Sequence, residues 1–88
     1  MELRISDGER DRYTEIYGTD PLARDGWVTL RLKRRLEILG CVLGSEFDLL
    51  GLEEGETIEA PTTTGRAIAQ VGKRREEDTS VFSVIVRW

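Results

Sequence analysis

The chain has 88 residues, 17 acidic and 13 basic side chains, a formal charge of −4 and no histidine; 39% of it is apolar and 34% charged. A chain this short forms a single domain, residues 1–88, and buries only roughly 60–65% of its unfolded surface, which leaves little room for a deep catalytic cavity. The acidic balance argues against wholesale coating of nucleic acid while leaving a local basic face open.

Glu2-Leu3-Arg4-Ile5-Ser6 alternates with period two and predicts a strand that stops at the turn signal Asp7-Gly8. Arg12-Tyr13-Thr14-Glu15-Ile16-Tyr17 alternates again, is rich in β-formers and predicts a second strand ending at Gly18. Residues 18–26, with one proline and two glycines, read as the longest loop. From Trp27 the pattern supports two states. Val28, Leu30 and Leu32 alternate, whereas Leu32, Leu36, Leu39 and Leu43 share a narrow helical face. The expectation is a strand over 27–30 passing into a single helix over about 31–40, with Gly40 near its end.

An internal echo follows. Leu39-Gly40 and Leu50-Gly51 are each followed by three residues, a glycine (Gly44, Gly55) and a short alternating run. The echo favours a strand over 45–50, although Ser45 with Asp48 also resembles a helix-capping box. Strands are predicted at Thr57–Ala60 and Arg66–Val71, joined by the turn Pro61-Thr62-Thr63-Thr64-Gly65, with a charged excursion over Gly72–Asp78. The last strand, 81–88, is apolar on both faces and should lie centrally in the sheet. Five or six short strands with one helix define a mainly β, α+β domain, a small SH3-like barrel or β-roll.

The residue inventory excludes most catalysis. Without histidine, Ser/His/Asp and Cys/His chemistries are impossible, and one cysteine cannot build a zinc site. Glu53-Glu54-Gly55-Glu56 lacks the ligand spacing of a calcium loop, and Pro61–Arg66 lacks phosphate-loop spacing. No catalytic, metal or cofactor residue is assigned, and a non-enzyme is expected. Cys41 has no internal disulfide partner, no run is long enough to span a membrane, and the start carries no signal-peptide pattern. A cytoplasmic protein without membrane insertion is expected.

The candidate binding residues are Arg31, Arg34, Arg35 and Ile38, a basic helical stripe with an apolar interruption, and Trp88 at the C-terminus. Such a stripe suits an acidic protein surface or a phosphate backbone. The plainer alternative is a solvated helix face whose arginine stems lie over a small core. Trp88 either seals the end of the sheet or anchors a partner.

Several of these elements also occur in family order. Gly8-Glu9, Ile16-Tyr17-Gly18, Arg34-Arg35-Leu36-Glu37-Ile38-Leu39-Gly40, Gly44-Ser45-Glu46-Phe47-Asp48-Leu49 and Ile68-Ala69-Gln70-Val71 stand in an order that resembles the ferrous-iron-transport A (FeoA) family of SH3-like barrels. That resemblance implies a domain without catalysis that docks to another protein. The segments Gly26-Trp27-Val28-Thr29-Leu30 and Leu50–Ala60 also resemble the swapped-hairpin AbrB/MazE family. This one implies an intertwined homodimer that binds DNA. The leading expectation is therefore a non-enzymatic accessory or regulatory module acting through protein–protein contact. A dimeric DNA-binding regulator or antitoxin is the alternative, and a phage- or host-encoded inhibitor covering a partner's surface is the third reading.

Overall fold

The computed structural model describes residues 1–87. These fold into a small α+β domain: a four-stranded antiparallel open sheet and two helices. Strand β1 is Glu2–Ser6, helix α1 Asp7–Tyr17, helix α2 Trp27–Ile38, and β2, β3 and β4 are Thr57–Pro61, Ile68–Glu76 and Thr79–Arg87. The sheet order is β1-β4-β3-β2, so β4 is central, as its two-sided apolar pattern predicts.

Helix α1 occupies the segment expected to hold a turn and a second strand. Ser6 ends β1 in an extended conformation, and its Oγ accepts the Glu9 N–H at 3.1 Å. The Glu9 carboxylate reaches back to the Ser6 N–H at 3.4 Å, completing a capping box. Asp7 and Glu9 place negative charge on the first turn, where the helix dipole favours it. At the other end Gly18 takes a left-handed φ of 70° and gives its N–H to the Thr14 carbonyl at 2.8 Å. These terminal signals override the β propensity of Tyr13, Ile16 and Tyr17.

Helix α2 begins at Trp27, not after residue 30, because of what caps it. The N-cap Gly26 offers no side chain; the Pro21 carbonyl instead accepts the Val28 and Thr29 N–H groups at 3.1 and 3.4 Å. A Cβ at position 26 would lie 2.2 Å from that oxygen, so only glycine permits the approach. The inner face carries Val28, Thr29, Leu32 and Leu36. Of the four leucines expected on one face, Leu32 and Leu36 are buried, Leu39 is exposed beyond the helix end and Leu43 is half-buried.

The loop 18–26 is a fastening point. Asp20 Oδ1 accepts the Leu22 N–H at 2.9 Å, and the Leu22 carbonyl receives the Thr29 hydroxyl at 2.7 Å and the Leu49 N–H at 3.0 Å. Leu22 itself is buried. The segment 45–50 forms turns rather than a strand: Asp48 caps the Leu50 N–H at 3.1 Å, and Leu49 drops into the core. With 12–17 and 27–30 helical and 45–50 turned, the described residues supply four strands and two helices. Five or six strands around one helix are not formed, and the sheet stays open instead of closing into a barrel.

Strand β3 runs through Glu76, absorbing most of the charged stretch read as an excursion, and a two-residue turn at Glu77-Asp78 leads into β4. One sheet face meets α2 and the connecting loops, with Leu3, Ile5, Ala60, Ala69, Val71 and Phe82 against Leu22, Val28, Leu32, Leu36, Leu49 and Leu52. Each such large aliphatic side chain contributes about 1.5–3 kcal/mol by leaving water. Cys41 belongs to this core, and burial pushes its thiol pKa up.

Candidate functional site

The outer face of α2 follows from its inner one. With the core at Val28, Thr29, Leu32 and Leu36, a turn of about 100° per residue sends Arg31, Arg34 and Ile38 the opposite way; Trp27 heads the same arc of about 60° but, at the helix start, is half-buried and packs against the core. Leu30 and Arg35 flank this stripe. Ile38 is 67% exposed and Leu30 is also exposed.

Arg31, Arg34, Arg35 and Ile38, four of the five expected site residues, line one groove of about 280 Å³ together with Met1. Trp88 lies outside the described residues. At the first turn of α2 a second, larger groove of about 430 Å³ runs between the two helices, walled by Arg12, Tyr13, Ile16, Tyr17 and Trp27. Tyr13 and Tyr17 contact each other with centroids 4.5 Å apart. Since Ser6 lines the groove at Trp27 and Met1 the one at Ile38, α2 runs beside β1 in the opposite direction, with a groove at each end.

A strand over 12–17 would not form the aromatic groove, so the alternation of that segment hides it. Its signal was present in Ser6-Asp7-Gly8-Glu9, a capping-box pattern with an acidic first turn.

Helix α1 buries no residue. Polar clamps hold it instead. Arg10 forks onto Asp20 with contacts of 3.1, 3.1 and 2.6 Å, and Arg75 of β3 forks onto Asp7 at 2.8 and 2.9 Å. Arg75 hydrogen bonding holds the Asp7 carboxyl below its usual range. Partial burial pushes Asp20 up, but Arg10 and the Leu22 N–H outweigh it and the net shift is downward.

The solvated sheet face organises its charges differently. Arg4 and Arg74 lie opposite Val81 on its two neighbouring strands. Arg74 bonds Glu2 at 2.7 Å and approaches Glu76 at 3.6 Å, while Arg4 meets Glu2 at 3.3 Å and also Glu76. The ring closes over Val81, which is 0% exposed. Arg74 lowers the Glu2 pKa, and Glu2 raises that of Arg74.

Arg31, Arg34 and Arg35 form no ion pair among the described residues, although the chain has more carboxylates than bases. The arrangement can present three forked cations beside exposed apolar side chains; it does not gather a nucleophile and a base. The acidic turn Glu53–Glu56 closes on itself, Glu56 accepting the Glu53 N–H at 2.8 Å. No helix of the described residues is long and apolar enough to cross a membrane. No family model, curated protein or solved structure matches the chain.

Proposed function

We propose that this protein is a cytoplasmic, non-enzymatic accessory or regulatory module that acts by protein–protein contact, and that the outer face of α2 is its docking surface. One observation carries the reading: among the described residues Arg31, Arg34 and Arg35 stand without ion pairs around an exposed Ile38, while the solvated sheet face joins Arg4 and Arg74 to carboxylates. Arginine beside exposed apolar surface is the composition of protein interfaces. Two features support a protein partner over duplex DNA. Apolar side chains stand in the grooves at both ends of α2, Ile38 at one and Tyr13, Ile16 and Tyr17 at the other, and Glu9 in the groove beside Trp27 would repel phosphates. The alternative of a swapped-hairpin DNA binder loses support because Gly26–Leu30 caps and opens a helix.

The test is photo-crosslinking from a reactive side chain at Ile38, with Ile85 on the solvated sheet face as control, in lysate of the source cell. A discrete protein adduct is expected from position 38 only, and Arg31→Glu with Arg34→Glu should abolish it. Adducts of equal yield from both positions, or an adduct indifferent to the charge reversal, would return these arginines to an ordinary solvated face.

A further inference from the structure

We propose that the partner element seated on α2 is an acidic amphipathic α-helix of another protein, apolar at both ends and carboxylate-bearing between them. This rests on the docking reading above and names the chemistry of the occupant. The outer stripe runs Trp27, Arg31, Arg34, Ile38, a spacing of i, i+4, i+7, i+11. Trp27 and Ile38 are about 16 Å apart along the axis at ~1.5 Å per residue, the length of three helical turns. Apolar side chains are offered at each end, by Tyr13, Ile16, Tyr17 and Trp27 in a groove that Glu9 and Arg12 also line, and by Ile38 with Met1 in the groove that the arginines themselves line. Along the stripe Arg31 and Arg34 fall between Trp27 and Ile38.

A helix laid along this stripe meets apolar, cationic, cationic and apolar positions in turn. Its complement places apolar side chains at i and i+11 and carboxylates at i+4 and i+7, the helix-in-groove mode of recognition. Forked guanidinium–carboxylate pairs would then set register, and the end anchors would supply the buried apolar area.

A second copy of this chain does not fit. A two-fold axis through the stripe would set Arg31 or Arg34 of one copy against arginines of the other, bringing like charges together at the centre of the contact. A phosphate backbone would satisfy the arginines and leave the apolar side chains of Ile38 and of Tyr13, Ile16 and Tyr17 without partners. Charge and apolar surface are matched together only by the acidic helix.

The test uses the full chain and a 16-residue lactam-bridged helical peptide with Leu at positions 3 and 14 and Glu at 7 and 10. A second peptide carries Gln in place of both Glu, and a 16-base-pair duplex DNA is the third probe. Fluorescence anisotropy at 150 mM salt should show the Glu peptide binding about three- to tenfold more tightly than the Gln peptide, the size expected for two exposed ion pairs. Arg31→Gln with Arg34→Gln should erase that difference, Ile38→Ala should weaken both peptides alike, and thermal melts should show each variant folded. Equal binding of the two peptides, no binding of either, or tighter binding of the DNA would overturn the proposal. If an Ile38-specific protein adduct persists while both peptides fail, the docking face stands and only the acidic helix is wrong.

Discussion

Two arginine-bearing surfaces of this small domain use the same side chain in opposite ways. On the solvated sheet face, Arg4 and Arg74 close a ring with Glu2 and Glu76 over Val81. On α2, Arg31, Arg34 and Arg35 stand within one turn of each other with no carboxylate joined to them among the described residues. Like charges three and four residues apart on a helix are mildly destabilising, so nothing local recommends the cluster for stability. The first surface belongs to the fold, and the second is the one proposed to meet a partner. Position on the scaffold, not residue type, separates the two roles.

The largest expected effect probes how α2 is held. Gly26→Ala drives a Cβ into the Pro21 carbonyl that caps the helix, and chemical denaturation should show a loss on the order of 4 kcal/mol or more. Leu36→Ala, on the inner face, should cost about 2–5 kcal/mol by the same measurement. Thr29→Val leaves the Leu22 carbonyl with one bond fewer and should cost about 1–3 kcal/mol. Against these, Arg31→Glu with Arg34→Glu should move stability by no more than about 0.5 kcal/mol. A double reversal as damaging as Leu36→Ala would erase the distinction between the two sides of the helix.

The smallest effect sharpens the contrast between the charged surfaces. Arg74 holds Glu2, and Arg75 holds Asp7, below the ordinary carboxylate range. A carboxylate whose folded pKa lies below its unfolded one stabilises fully above the unfolded value, and the contribution disappears as pH falls through the folded one. The melting temperature should therefore fall below about pH 4. That acid-limb slope should become shallower in Glu2→Gln and Asp7→Asn and remain unchanged in Arg31→Gln with Arg34→Gln. A slope altered only by the α2 variant would mean that its arginines hold carboxylates in the folded state.

Much of the site was legible in the sequence, and much of the fold around it was not. The basic stripe with Ile38 opposite Leu32 and Leu36 was readable because α2 buries a face, and burial is what writes helical periodicity into a sequence. Helix α1 buries nothing, so its only signals were the capping box at Ser6 and Glu9 and the glycine at 18; Tyr13, Ile16 and Tyr17 meanwhile advertised a strand. The start of α2 was hidden because its cap is the Pro21 carbonyl, a contact that no residue type at position 26 announces beyond the glycine itself. The two halves of the echo diverge because Leu49 enters the core through a turn, whereas Thr57–Pro61 finds β3 to pair with. Charges in β3 suggested a loop, yet alternation sends Arg74 and Glu76 to the solvated face, where Glu2 and Arg4 meet them.

That the α2 arginines are dispensable to the fold can be checked by urea unfolding of the triple variant Arg31→Gln, Arg34→Gln, Arg35→Gln beside the wild-type chain. Both should show the same midpoint and the same slope. A midpoint lowered as far as that of Leu36→Ala would contradict it and make these side chains part of what holds the domain together.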